Sequence, residues 1–241
     1  MMNTFPLVKH FLRVMMYYKI NLIFTLGVPI GSIIYTMRPF IFHTSDQQIV
    51  QNHVFYWISY MVVLYAIINS GPSLVVLRED QFLKMFLFIS GNVCSIIYAK
   101  YISQFILLTL SVLILDILSC FLFDLPIIKL LIQSFLLIIL SSPPIFFLFL
   151  FFAALRLRQE TMIPLTNILI FCFIFMSVNQ INRVLSFINP IDYAFQIARF
   201  LFDGTSIHGF QIWFSITITC FYLFIGLFSL KKIQFLPIFR N

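Results

Sequence analysis

The sequence predicts an all-α polytopic membrane protein, a single transmembrane domain over residues 1–241 with six spanning helices. Hydrophobic residues make up 61% of the chain, 32 Phe among them, and the mean hydropathy is +1.04, which leaves too little polar surface for a water-soluble domain. Charged residues are only 10% and cluster between long uncharged runs rather than spreading along helix faces. Six such runs, 20–37, 54–77, 101–123, 130–155, 161–182 and 209–230, are long enough to span a hydrocarbon core of ~30 Å, which takes ~20 residues at ~1.5 Å each.

Ahead of the first span, residues 4–18 form an amphipathic helix, with Pro6 tolerated in its first turn. At ~100° per residue, Phe5, Leu7, Val8, Phe11, Leu12, Val14 and Met15 share one half of the wheel, and Lys9, His10, Arg13 and Tyr17 the other. Such a helix lies in the headgroup plane, with Lys9 and Arg13 toward anionic lipid or a cytosolic partner. The first span is expected to act as a signal anchor, since no small-residue cleavage site follows it. It carries Gly27 and Gly31 in a GxxxG pattern, which suits either a close helix–helix contact or a simple kink at the intervening Pro29.

After the second span comes an apolar stretch, 78–99, whose charge-free part, 85–99, is too short to cross, so it is expected to stay at the membrane surface. The third span holds Asp116, an intramembrane acid that is either a substrate or gating contact or a protonated, hydrogen-bonded structural group. Lys129 is expected to lie near Asp124 across the short outer turn. In the fourth span, Ser141-Ser142-Pro143-Pro144 should break the helical ladder near its middle. Between the fifth and sixth spans, residues 179–208 form an extracellular segment of short or re-entrant helices, bent at Asn189-Pro190.

Orientation follows from the basic residues, which concentrate on the cytoplasmic side of spans. With the N-terminus inside and 85–99 not crossing, Lys9, Arg13, Lys19, Arg78, Lys84, Lys100, Arg156, Arg158, Lys231, Lys232 and Arg240 lie inside, and Arg38, Lys129, Arg183 and Arg199 outside, eleven against four. If 85–99 crossed, the count would become eight against seven. Both ends are therefore expected in the cytoplasm, at the cell membrane.

Several function classes are excluded. The four cysteines, Cys94, Cys120, Cys172 and Cys220, lie in apolar runs and imply neither a disulfide framework nor a metal site; they are expected to pack as small core hydrophobes. The net charge of +7 is accounted for by the positive-inside bias and signals no nucleic acid. An intramembrane enzyme is disfavoured, because HExxH and GxSxG motifs are absent and the histidines (His10, His43, His53, His208) sit at or outside span ends. No Gly-rich phosphate loop is present, so any ATP chemistry must belong to another polypeptide.

The combination of an interface helix, six spans, a cytosolic segment opened by Arg78-Glu79 and an Asn189-Pro190 stretch before the last span resembles the permease subunits of type-2 ABC exporters. Family members often carry Arg-Glu, a Leu-bearing helix and a Lys at the mouth of the third span, matched here by Arg78, Glu79, Leu83 and Lys100. The Asn-Pro stretch is usually followed by an amphipathic helix with an Arg, matched by Asn189, Pro190 and Arg199. The Gly after the acidic pair and the Pro before the third span that many members show are absent.

The resemblance implies that 78–99 is a coupling segment, with a coupling helix over 78–90 presenting Arg78, Glu79, Phe82, Leu83 and Lys84 to an ATP-binding subunit and buttressed by the N-terminal helix. It further implies two copies of that subunit, carrying ATP and Mg, and a second permease chain, identical or not; this chain would hold no cofactor itself. Asp116, Asn189, Pro190 and Arg199 are candidates for the substrate path or gate. The nearly uncharged spans favour a hydrophobic or amphipathic cargo such as a peptide, lipid or drug-like molecule. The alternatives are a non-transporting polytopic protein, such as an immunity or assembly factor, and a secondary transporter, although no convincing match between the two halves of the chain supports the latter.

Overall fold

The structure, a computed structural model, describes residues 4–17, 19–41, 47–179, 188–202 and 209–233, and all regular elements among them are helical. In order they are α1 (Thr4–Tyr17), α2 (Lys19–Thr36), a 3-10 turn (Arg38–Phe40), α3 (Gln47–Asn69), α4 (Gly71–Glu79), α5 (Phe82–Ser90), α6 (Val93–Phe123), α7 (Ile127–Phe149), α8 (Phe151–Ala154), α9 (Gln159–Asn179), α10 (Pro190–Phe202) and α11 (Gly209–Leu230). Tyr18, His43, residues 180–187 with Arg183, residues 203–208 with His208, and residues 234–241 with Arg240 lie outside the described residues.

Five helical stretches are long and apolar enough to cross a bilayer: Gln47–Glu79, Val93–Phe123, Ile127–Ala154, Gln159–Asn179 and Ile212–Leu230, of 33, 31, 28, 21 and 19 residues. They correspond to the last five of the expected spans. At the first, Ile23–Thr36 is a shorter apolar helix. The protein is thus a helical, multi-pass architecture built for a membrane.

The bundle is organised around α3. It packs against α7, α6 and α10, and its Val54, Ile58, Met61 and Ala66 are fully enclosed with Leu108 and Leu115 of α6 and Leu137 and Ile145 of α7. Polar side chains meet across the same interfaces: Gln51 donates to Gln133, the Tyr65 and Ser111 hydroxyls are 2.7 Å apart, and those of Tyr101 and Ser142 3.1 Å. Such pairs fix helix register in an apolar medium more than they add stability, at roughly 0.6 kcal/mol each. By contrast α9 leaves Ile163, Ile168, Phe171 and Phe175 uncovered. This face is suited to lipid or to another chain.

A second cluster defines one end of the bundle. Leu7 and Phe11 of α1, Leu74 of α4, Leu83 and Phe86 of α5, Ile96 of α6, Phe146 of α7, Ala153 of α8 and Ile233 pack together there. The opposite end is marked by the turn between α6 and α7, where Gln47, the first residue of α3, donates to the Asp124 carbonyl at 3.2 Å.

The stretch expected as one helix over 78–90 is divided. Arg78 and Glu79 close α4 instead of opening the next helix, because Gln81 takes a left-handed conformation (φ 62°) and starts the chain afresh at Phe82. Gly91 then ends α5 with φ 68°, its N–H bonded to the Leu87 carbonyl at 2.7 Å, as a left-handed C-terminal cap does. Asn92 caps α6, accepting from the Cys94 N–H at 3.0 Å. The helix that carries the third span therefore begins at Val93, before residue 101, and Lys100 lies within it.

Two further expectations need correction. The helical path is not interrupted at Pro143 and Pro144, although neither has an N–H to give to the ladder, and it ends only at Phe149; Ser141 Oγ donates to the Leu137 carbonyl at 2.6 Å within it. The cysteines are not core residues: Cys94, Cys172 and Cys220 are exposed, and Cys120 is half-buried. Apolar spans place small hydrophobes on a lipid-facing surface as readily as in a core.

Glycine is used where helices touch, at Gly71 and Gly226. A Cβ on Gly71 would run into the Phe149 carbonyl and stand 2.9 Å from Phe152 Cβ, and one on Gly226 would stand 2.6 Å from the Phe147 carbonyl. Around Gly27 and Gly31 nothing among the described residues lies within 4 Å of such an atom. Gly71→Ala and Gly226→Ala should therefore each destabilise the purified chain by about 1–3 kcal/mol, whereas Gly27→Ala and Gly31→Ala should stay within about 0.5 kcal/mol. Thermal unfolding of the four variants in one detergent checks this ordering.

Candidate functional site

The end of the bundle defined by the second cluster gathers most of the candidate residues. Arg78, only 1% exposed, turns inward. Its Nη1 donates to the Leu155 carbonyl at 3.3 Å, its Nη2 to the Leu157 carbonyl, and its Nε to Glu79 Oε1 at 3.1 Å. The guanidinium thus holds the end of α4 to the non-helical linker between α8 and α9, satisfying carbonyls that have no helical partner. Glu79 is its ion-pair partner.

From this anchor α5 packs against α4 and α6, and its Phe86 ring meets Phe11 of α1. Leu83 is buried in the cluster, while Phe82 is half-exposed and Lys84 exposed. Of the five residues expected to meet a partner, Arg78 and Leu83 face the chain's own interior, Glu79 is partly covered, and Phe82 and Lys84 face out. Met85 and Phe88 extend the outward face, Phe88 at 92% exposure.

The amphipathic α1 packs Leu7, Val8 and Phe11 inward, with the Phe11 and Phe86 rings 5.5 Å apart, and leaves Lys9 and Arg13 exposed. Ser103 Oγ donates to the Val8 carbonyl at 3.1 Å. The Lys100 ammonium donates to Ser73 Oγ at 2.7 Å and stands 4.9 Å from the centre of the Phe11 ring. Ser73 in turn bonds the Asn69 and Ser70 carbonyls at the bend between α3 and α4. One cation therefore joins α1, α4 and α6, a link that the sequence pattern did not disclose.

The Asn189-Pro190 corner is a separate site. Asn189 is buried; its amide donates to the Phe173 carbonyl at 2.8 Å and to Asp192 Oδ2 at 3.1 Å, and its Oδ1 accepts from the Ile191 N–H at 3.1 Å. Pro190 is the first residue of α10, where its missing N–H costs no helical bond. Asp192, absent from the sequence-based candidates, also accepts from Ser177 of α9. Burial pushes its carboxyl above the usual carboxylate range, and the hydrogen bonds from Ser177 and Asn189 and the charge of Arg199 oppose that shift. Tyr222 of α11 completes the corner by donating to the Ile188 carbonyl at 2.7 Å. Arg199 stands apart on the exposed side of α10, 4.5 Å from the Phe195 ring centre. Asn189 and Pro190 thus shape the joint between α9 and α10, and Arg199 reaches it only through its charge on Asp192.

Asp116 lies elsewhere again, in a cleft between α6 and α7, with its side chain buried. Lys129 makes no ion pair with Asp124 among the described residues. No group of three or more metal-ligating side chains occurs among them either. No protein-family model, curated protein or solved structure matches the chain.

Arg78→Met should release the 155–158 linker and leave two part-buried carbonyls without donors, at a cost of about 1–3 kcal/mol. Because Arg156 and Arg158 on that linker are exposed, the variant should be cut there by trypsin much faster than the wild type. Mass spectrometry of the early fragments checks the site, and Arg78→Lys should give an intermediate rate.

Proposed function

We propose that the chain is the membrane-spanning permease subunit of an ATP-driven exporter of the type-2 ABC kind. It works by alternating access on a hydrophobic or amphipathic cargo, beside a second permease chain and two ATP-binding subunits. The observation that carries this reading is α5. It is a nine-residue helix held between two span-length stretches, fixed from behind by α1 and by the Arg78 anchor, with Phe82, Lys84, Met85 and Phe88 uncovered. At ~1.5 Å per residue it is far too short to cross, and its seat on a rigid corner suits a helix that receives a push.

The positions of the bundle's ends support six crossings with both termini in the cytoplasm. α1, α5, α8 and Ile233 share one end, while Gln47 meets Asp124 at the other, so α2 leads from the first end to the second. Its 18 residues reach ~27 Å, close to the thickness of the hydrocarbon core. The exposed Lys9, Arg13, Lys84, Arg156, Arg158, Lys231 and Lys232 belong to segments at the α1 end, as a cytoplasmic face requires. α10, packed on α3 and α7, is the short outer helix before the last span.

The test is co-purification from the source membrane. The wild-type chain should bring with it a phosphate-loop ATPase. Phe82→Ala with Lys84→Glu, both on the open face of α5, should lower its recovery roughly tenfold while leaving the melting temperature unchanged, as expected for loss of interface anchors. No ATPase with the wild type, or full recovery with the double variant, overturns the assignment.

A further inference from the structure

Between α6 and α7 a cleft of about 320 Å³ opens to the outside of the bundle, lined by apolar side chains such as Leu113, Ile132 and Phe135. Three polar side chains reach it, Thr109, Asp116 and Ser134. Thr109 Oγ1 already donates to the Phe105 carbonyl at 2.8 Å. Asp116 is 1% exposed and Ser134 Oγ stands near its carboxyl across the recess, yet neither Asp116 oxygen nor Ser134 Oγ makes a hydrogen bond of normal geometry among the described residues. Three polar atoms thus stand unsatisfied in one otherwise apolar recess. Within a membrane that arrangement is costly unless something else completes it.

The depth is the same on both walls. Asp116 lies seven residues before Phe123, the end of α6, and Ser134 seven after Ile127, the start of α7, so both sit roughly 10 Å below the connecting turn. No lysine or arginine among the described residues pairs with the carboxylate; the ion pair found there is Arg78 with Glu79. Lys129, the nearest cation along α7, projects about 140° around the helix from Ser134 and is exposed.

The geometry points to a binding site for an apolar molecule bearing one primary or secondary ammonium group. The ammonium satisfies what is open: its charge is matched by Asp116, its N–H groups reach the carboxylate and Ser134 Oγ, and its hydrocarbon body lies along Leu113, Ile132 and Phe135. Calcium or magnesium would want six or more oxygens and zinc several imidazole or thiolate ligands, whereas the residues lining the recess offer four oxygens and no such nitrogen or sulfur. A neutral lipid would leave the carboxylate unmatched. The volume sits at the small end of ligand pockets, enough for a head group and the first part of a chain whose remainder extends into the bilayer. This deepens the exporter reading by naming a cargo class, and it rests on that reading only in treating the bound amine as cargo.

The experiment uses the full chain in phosphatidylcholine nanodiscs with radiolabelled dodecylamine as the probe. Binding should be saturable, displaced by unlabelled dodecylamine, and not displaced by dodecanol. Asp116→Asn should weaken it roughly tenfold or more, the size of a lost charge-assisted contact, and Ser134→Ala by a few-fold. Asp116→Glu should keep the preference for the amine over the alcohol. The Asn variant should melt no lower than the wild type, since it removes a carboxyl whose charged form is penalised by burial. Equal displacement by dodecanol, or unchanged binding in Asp116→Asn, overturns the proposal. So does a change of oligomeric state in that variant with binding intact, because a second copy would then be what fills the recess. Since no ATP-binding subunit takes part, failure here leaves the co-purification test standing, and failure there leaves this one standing.

Discussion

A backbone carbonyl released at a helix end has no water to turn to inside a membrane, and the bends of this chain are built around that constraint. At the joint between α3 and α4, Ser73 bonds two carbonyls and is itself held by Lys100. At the linker after α8, the Arg78 guanidinium takes the Leu155 and Leu157 carbonyls. Between α5 and α6, Ser90 Oγ donates to the Asn92 carbonyl, and Asn92 caps the next helix. At the start of α10, Asn189 serves both its own helix and the Phe173 carbonyl of α9. Each of these four points is closed by a polar side chain, and several of the buried polar residues have this use.

Three of these closures fall at the same end of the bundle, and together they make it rigid. Arg78 ties α4 to the α8–α9 linker, Lys100 ties α6 to α4 and to the Phe11 ring, and the aromatic contact of Phe11 with Phe86 ties α1 to α5. A force applied to the open face of α5 would reach four helices through side-chain contacts without first bending a loop. The opposite end is held differently, by the Asn189 corner and by the Tyr193–Thr219 and Tyr222–Ile188 hydrogen bonds that join α10 to α11 and its flank. Between the two ends lies the Asp116 cleft, whose walls belong to the α6–α7 hairpin.

Much of this was legible in the sequence, for a physical reason. Span-length apolar runs and an amphipathic wheel depend only on local periodicity, so α1 and the long helices were readable, and Leu7, Val8 and Phe11 are buried where the wheel places them. What the sequence did not disclose depends on distant neighbours. Arg78 read as an exposed contact because its carbonyl partners lie far along the chain, beyond α7. Gly27 and Gly31 meet nothing among the described residues of their own chain, which is also what a face kept for a second chain would show, while Gly71 and Gly226, in no motif, are the points of close approach within it. Asp192 was passed over because its partners, Ser177 and Asn189, come together only when α10 folds back on α9. Of the candidate site residues, Phe82, Lys84, Lys9 and Arg13 face outward, as a surface contact needs.

The functional reading requires α5 and the segment after α11 to lie on one side of the membrane and the α6–α7 turn on the other. Membrane-impermeant maleimide on intact cells measures this directly, using Phe88→Cys, Lys231→Cys or Asp124→Cys in a chain whose Cys94, Cys120, Cys172 and Cys220 are replaced by Ser. The expected result is that only the cysteine at 124 reacts until the membrane is permeabilised, when those at 88 and 231 also react. Labelling at either 88 or 231 in intact cells would mean that α5 does not face the cytosol with the C-terminal end, and the reading would fail.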